Sequence, residues 1–346
     1  MNERVQVQTK YPNAIPHLIN DGVLYYSQKN KVLAISDLSQ PEPRIVAAIP
    51  WGPWQLISHI RLAERVLKNG ILQLHRNDNG QFLAMTGHNW WLVENDGEIK
   101  KILRPSATRP MSRGICQLHT GETYVADYMK NAERGPVRIY RSNNLRNFEP
   151  CWEFPAGSVR HIHALVVDDE SKNRIWILTG DTDDESVIWY TDNHFSSVQT
   201  FLGLGQLSRS VDLVTAKSSL LWGTDSPDSL NYLVTCSKSG NTEPEIIQEL
   251  PGPVYYSGRN EAGATYFGTT VEQGDGVLDN YGHIFGSTLE GKWQEIYRAE
   301  KDRTSQHGIV YFPRGIMPDN WLVFSQRALV PDEGCMYLAR DNAWQQ

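Results

Sequence analysis

Val137-Arg138-Ile139-Tyr140-Arg141-Ser142, running through Asn143-Asn144 to Trp152-Glu153-Phe154, is the stretch on which the fold turns. Apolar side chains alternate with polar ones, the run ends on a small polar residue, a turn follows, and a second short run begins. That is a β-hairpin. The same figure recurs in Val32-Leu33-Ala34-Ile35-Ser36-Asp37, Trp90-Trp91-Leu92-Val93-Glu94-Asn95 and Val187-Ile188-Trp189-Tyr190-Thr191-Asp192. It recurs again in Asn231-Tyr232-Leu233-Val234-Thr235-Cys236, Gly282-His283-Ile284-Phe285-Gly286-Ser287 and Gly334-Cys335-Met336-Tyr337-Leu338-Ala339. Aligned on Leu33, Trp91, Arg138, Ile188, Tyr232, His283 and Met336, the runs are 58, 47, 50, 44, 51 and 53 residues apart. A loose period of about 50 residues with four short strands per repeat is the signature of propeller blades. The expectation is an all-β chain, a single β-propeller of about seven four-stranded blades, with six blades the alternative. The blades are expected near 17–50, 55–105, 113–156, 160–204, 209–252, 253–299 and 306–341. Helical periodicity is confined to a short stretch near Leu62 to Leu67.

Two of the turns after these runs resemble the Asp-box of sialidase-type propellers, a turn of the form Ser-x-Asp-x-Gly-x-x-Trp between a blade's outer strands. Ser287-Thr288-Leu289-Glu290-Gly291-Lys292-Trp293 keeps the Ser, Gly and Trp but lacks the Asp and is one residue short. Ser142-Asn143-Asn144 followed by Phe148 and Trp152 keeps the Ser and the aromatics. A second likeness lies in Arg160-His161-Ile162-His163, Ile175-Trp176-Ile177-Leu178, Thr179-Gly180-Asp181, Gln206, Arg209 and Gly223-Thr224-Asp225-Ser226. This part of the chain resembles sialidase-like propeller proteins encoded with polysaccharide genes. The resemblance implies a glycan setting and leaves the reaction open, because one fold hosts many functions.

Composition narrows the partners. With 40% hydrophobic and 21% charged residues among 346, the chain has material for a core and no bias toward disorder. The net charge is -7 and the basic residues are scattered, which argues against nucleic acid. No stretch approaches the roughly 20 apolar residues of a membrane span, and the amino terminus carries no apolar run behind its charges. The expectation is a cytoplasmic monomer with a carbohydrate ligand and no membrane partner. Cys116, Cys151, Cys236 and Cys335 are too dispersed for a disulfide framework or a zinc knuckle and read as reduced thiols.

In a propeller the innermost strands line the channel, so equivalent residues of successive blades form a ring. Arg113, Arg160, Arg209, Ser257 and His307 open probable first strands at separations of 47, 49, 48 and 50 residues. Asp127, Asp181, Asp225 and Glu272 end the strands that follow, where a hairpin neighbour belongs. The plain reading is that each Arg pairs with a neighbouring acid and ties blades together, as buried charges require. Beyond it stands a surplus of polar groups at one level, His161, His163, Gln206, Tyr256, Gln306 and His307, and converging polar groups in a concavity are the default ligand site.

Two chemistries fit these residue types. A glycoside hydrolase needs one carboxyl group to protonate the leaving oxygen and a second group as base or nucleophile, with Asp181, Asp225 and Glu272 as candidates. In the sialidase version implied by the resemblance, a Tyr activated by a Glu attacks and three Arg grip the substrate carboxylate; Tyr256 with Glu272, and Arg113 with Arg160 and Arg209, match in residue type. A polysaccharide lyase neutralises a uronate carboxylate with Arg or a metal and removes the adjacent proton with His, Tyr or Arg, for which His161 is a candidate. The substrate-binding set is then Arg113, Arg160, Arg209, His163, Gln206, His307 and Asp127. His161 and His163 share a strand face and, with Gln206 and His307, offer ligands to a divalent metal, although an ordinary polar pair is the commoner meaning of His-x-His. No cofactor is otherwise indicated, since there is no Gly-rich phosphate loop and no Gly-x-Ser-x-Gly elbow. The rival reading is a propeller that binds a glycan or a protein without turnover. Asp181-Thr182-Asp183-Asp184-Glu185 lacks the Gly and distal Glu of a calcium loop and reads as a hairpin tip. Trp51-Gly52-Pro53-Trp54 and Trp90-Trp91 read either as sugar platforms or as packing between sheets.

Overall fold

A computed structural model describes residues 4–50, 70–106, 109–239 and 243–344. The Trp51-Gly52-Pro53-Trp54 motif and the helical stretch at Leu62 to Leu67 lie outside the described residues.

Among the described residues seven sheets follow one another along the chain, each built on a four-stranded antiparallel meander; the sixth also takes in Ile316–Met317, parallel to Val254–Asn260, and Leu329–Val330. The seven runs that set the period are all third strands: Lys31–Ile35, Trp90–Val93, Val137–Ser142, Ile188–Thr191, Asn231–Ser237, Tyr281–Ser287 and Met336–Asp341. They are legible because a third strand has neighbours on both edges and buries β-branched and aromatic side chains on the pleat. In six of the seven pairings of third with fourth strands the register slips by one residue at nearly the same place, between Val32/Leu33, Ile139/Tyr140, Ile188/Trp189, Leu233/Val234, Ile284/Phe285 and, on the amino-terminal strand, Val7/Thr9. A bulge there adds to the right-handed twist of each sheet. Among the described residues the helical segments are two 3-10 turns, Gly205–Leu207 and Asn342–Trp344. No helix of the described residues is long and apolar enough to cross a membrane. The four cysteines are free thiols, Cys116 and Cys236 buried.

The chain divides into two compact units, one comprising Met1–Arg104, Gly258–Gly268 and Tyr281–Gln346, the other Pro105–Ser257 and Thr269–Asn280. In the first, the sheets beginning at Ala14–Asn20 and Gln73–Arg76 bury Leu18, Tyr25, Val32, Leu74, Phe82 and Val93 between their faces. Trp90 is buried and Trp91 packs against this cluster, which answers the question of platform or packing in favour of packing. The last blade was expected within 306–341, and three of its four strands lie there. Its fourth is the amino-terminal strand Val5–Tyr11, paired antiparallel with Met336–Asp341. Arg4 is buried at that junction, its Nε and Nη2 each 2.7 Å from Asp341.

In the second unit, the sheets beginning at Ile115–Gln117, His161–Val167 and Val214–Thr215 pack through two apolar layers. The first centres on Tyr124, Ile139, Phe154 and Ile177, the second on Trp176, Leu178, Trp222 and Val234. These layers fix the strand ends that carry the candidate site.

Candidate functional site

The second unit holds a cavity of about 250 Å³ whose wall includes Arg160, His161, His163, Asp181, Arg209 and Asp225. Most reach it from strand ends, Arg209 from just after the 3-10 turn Gly205–Leu207. Arg160 immediately precedes His161–Val167, Asp181 follows Ile175–Gly180, and Asp225 lies two residues beyond Ser219–Gly223. Backbone pairing holds these ends together: the Asp225 N–H donates to the Arg209 carbonyl at 3.0 Å.

His163 sits at a bulge. The pairing of His161 with Gly180 and Ile162 with Thr179 resumes at Ala164 with Leu178, which leaves His163 as the extra residue. Its ring fits because residue 180 is glycine; a Cβ there would lie 3.0 Å from His163 Cε1. Both imidazoles are held from behind. His161 Nδ1 is 2.9 Å from the Met129 carbonyl oxygen and His163 Nδ1 is 2.9 Å from that of Ser210. Their Nε2 atoms face each other at 3.0 Å, and each lies 3.3 Å from Asp181 Oδ1. The ring of Tyr128 packs against that of His161, tilted by 42°, at 4.4 Å between centroids.

The other carboxylate oxygen, Oδ2, accepts a 2.7 Å hydrogen bond from Arg160 Nη1. Arg160 Nε donates to the Lys130 carbonyl, and Nη2 has no protein partner among the described residues. Arg209 reaches Asp225 Oδ2 through Nε at 3.4 Å and the Asp181 carbonyl through Nη1 at 2.9 Å. Burial alone would raise the Asp181 carboxyl; a proton on the facing imidazole nitrogens reverses that and holds it far below the usual carboxylate range. Asp225 goes the other way. Burial pushes it up to about 8; Arg209 opposes, and the nearby Glu272 and Asp181 add to the rise. Its Oδ1 is buried without a hydrogen-bond partner among the described residues.

Two tyrosines complete the wall, Tyr128 and Tyr255. The Tyr255 hydroxyl donates to Glu272 Oε1 at 3.1 Å. Burial, reinforced by Asp225 and Glu272, holds that hydroxyl well above its ordinary pKa. Tyr128 is pushed up to about 12, chiefly by burial.

The cavity thus gathers Arg160, Arg209, His161, His163, Asp181 and Asp225 from the sequence-derived set, with Glu272 reaching it through Tyr255. The remaining residues lie elsewhere. The partner read for Glu272 was Tyr256, whose buried ring instead lies under the Arg113 guanidinium at 5.4 Å. Arg113 is a packing residue: its Nε is 2.8 Å from Asp212 Oδ2, and Nη2 donates to the Ser257 carbonyl. Asp212 Oδ2 also accepts from the Ser257 N–H and Oγ, both at 2.8 Å. These are the ties of the plain reading of the ring. Asp127 is buried under Tyr140 and the Arg138 N–H, outside the cavity wall, its carboxyl raised by burial. The Gln206 amide braces the loop after Asp181, donating to the Asp181 carbonyl and to Asp183. His307 belongs to the other compact unit, exposed just before Ile309–Tyr311, and Gln306 beside it accepts from Arg327. Tyr128, Tyr255 and Asp212 were missed by sequence reasoning; only Tyr128, directly after Asp127, had a positional signal.

The arrangement offers an ionised carboxylate, a protonated one, an exposed guanidinium nitrogen and a tyrosine backed by a glutamate on one wall, the components of acid–base and nucleophilic chemistry. A scan against models of protein families finds no match, and a search of curated proteins finds none. Among solved structures the chain is similar to virginiamycin B lyase from Staphylococcus aureus, at 12% identity and a TM-score of 0.61 over 97% of this chain and 99% of that one. A streptogramin B lyase structure matches at 12% identity and a TM-score of 0.58, over 98% and 95% of the two chains. Raptor from Chaetomium thermophilum matches at 12% and 0.55, over 98% of this chain and 29% of that one. Likeness at such identity carries the fold, and with seven consecutive sheets, each built on four strands, that fold is a seven-bladed β-propeller.

Proposed function

We propose that this cavity is the active site of an enzyme that cleaves an acidic glycan, with Asp225 as the general acid. One observation carries the reading: a buried carboxyl with one oxygen lacking a protein partner among the described residues, its pKa pushed up to about 8, lines a cavity beside Arg160 and Tyr255. Arg160 Nη2 meets the substrate's carboxylate. As the glycosidic bond breaks, Asp225 gives its proton to the leaving oxygen, the Tyr255 oxygen bonds to the anomeric carbon, and the tyrosine proton passes to Glu272. Water then displaces the tyrosine, its proton returning to Asp225 while Glu272 reprotonates Tyr255. The Asp-box-like turns at Ser142 and Ser287 support a sialidase-like setting for this chemistry.

Elimination from a uronate is the second reading. It is favoured by the Tyr255–Glu272 contact, which serves equally to take a proton from carbon, and the lyases named among the structural neighbours keep it in view.

Acidic oligosaccharides incubated with the protein are expected to yield new reducing ends, assayed beside the absorbance of unsaturated uronates, which marks elimination. Asp225→Asn lowers kcat/KM by about 10²–10⁴-fold, the usual range for loss of a general acid, and the wild-type rate falls as pH rises through 8. Tyr255→Phe abolishes hydrolysis. Glycan binding by the folded wild-type protein with no product across the panel would replace catalysis by recognition alone.

A further inference from the structure

The two buried histidines of the cavity present an unbalanced set of lone pairs. A carbonyl oxygen can only accept, so the contacts of His161 Nδ1 with Met129 and of His163 Nδ1 with Ser210 put the proton on Nδ1 in both rings. In neutral rings both Nε2 atoms are then acceptors, yet they point at each other across 3.0 Å and at Asp181 Oδ1 across 3.3 Å. Three electron-rich atoms converge on a point with no donor among them.

We propose that His161 Nε2, His163 Nε2 and Asp181 Oδ1 bind a divalent transition-metal ion of the zinc class. The edges of the ligand triangle agree with this: tetrahedral ligands about 2.0–2.1 Å from zinc lie roughly 3.3 Å apart. Each imidazole donates its other nitrogen to a backbone carbonyl, the outer contact that fixes the tautomer of a metal-binding histidine. The two oxygens of Asp181 divide their work, Oδ2 taking Arg160 and Oδ1 facing the histidines, with Arg209 Nη2 3.5 Å from Oδ1. Two nitrogens and one carboxylate oxygen suit zinc or cobalt better than calcium or magnesium. Three protein ligands leave a fourth position for water or substrate. The proposal is independent of glycan cleavage.

Protein stripped with a chelator and dialysed against Zn²⁺ or Co²⁺ is expected to retain one ion per chain by elemental analysis, and the cobalt form to show the intense visible bands of a tetrahedral site. Asp181→Asn, which keeps the shape of the side chain, weakens zinc binding at least 10-fold in competition with a chromophoric chelator. His163→Ala, checked for folding by circular dichroism, abolishes the cobalt bands, and His194→Ala, a surface histidine paired with Glu122, leaves stoichiometry unchanged. Folded wild-type protein that retains no stoichiometric ion overturns the proposal. So does retention of the ion in a folded His161→Ala/His163→Ala variant. A histidine NMR titration showing one proton shared between the rings in the presence of excess zinc would identify that proton as the occupant instead.

Discussion

Asp225 and Asp181 are the same residue type, reach the same cavity and are both adjacent to Arg209, yet their proton affinities are driven apart. Asp181 has a hydrogen bond from Arg160 and two imidazoles against it; Asp225 has one long contact to Arg209 and an oxygen with nothing to accept from. The divergence has a consequence for stability. Because the folded Asp225 holds its proton to about pH 8 while the unfolded chain releases it near 4, the native state binds more protons across that window, and stability declines as pH rises through it. Asp225→Asn removes this slope: its melting temperature should gain on the wild type progressively from pH 5 to pH 8. Parallel curves for the two proteins would mean that Asp225 is ionised in the fold. The residue scale is also where sequence reading reached its limit. Tyr255 and Tyr256 are adjacent, aromatic and equally suited to pair with Glu272, and alternation along a strand sends one into the cavity and the other beneath Arg113. Choosing between them requires the absolute register, which a period of about 50 residues with gaps of 44 to 58 does not supply.

At the scale of strands, the cavity depends on how closely neighbouring elements approach. Gly223 ends the strand that leads to Asp225, and a Cβ at that position would lie 2.5 Å from the Cβ of Val254, the residue before Tyr255. The absent side chain lets the two strands close, and the Val254 N–H reaches the Thr224 carbonyl at 2.9 Å. Gly223→Ala should therefore cost about 1–3 kcal/mol, read as a lower urea midpoint at unchanged slope, because the backbones must separate. The same separation moves Asp225 away from Tyr255, so activity should fall further than stability. A variant as stable and active as the wild type would show that the strands accommodate a methyl group. Within Gly223-Thr224-Asp225-Ser226 the acid was legible as the end of a second strand, whereas the glycine's role as a spacer depends on a partner about thirty residues away. His163 tells a similar story. His-x-His was legible as two residues on one face, but the bulge that aims both Nε2 atoms at Asp181 belongs to the pairing with Ile175–Gly180 and not to the strand itself.

The first and last described strands, Val5–Tyr11 and Met336–Asp341, share one sheet. Val5-Gln6-Val7-Gln8-Thr9-Lys10-Tyr11 alternates well enough to be read as a strand, but its partner Met336–Asp341 lies more than 300 residues on, and local pattern holds no signal for that pairing. The junction is secured by a buried ion pair, Arg4 with Asp341, in which Arg4 also donates to the carbonyls of Gly286 and Ser287, and Asp341 accepts from the Tyr266 hydroxyl at 2.9 Å. Removing one partner from such a pair strands the other charge out of water, at a cost of about 3–5 kcal/mol, while replacing both with apolar groups is often neutral. Asp341→Ala should thus lower stability by that amount, and the double variant Arg4→Met/Asp341→Leu should recover most of the loss, both measured by urea unfolding. If the single substitution costs under about 1 kcal/mol, which is the range of exposed pairs, the amino-terminal strand is held by its ladder alone. Loss of the strand would also leave Met336–Asp341 as an open edge, so the unfolding of Asp341→Ala should become concentration-dependent, as unpaired edges associate.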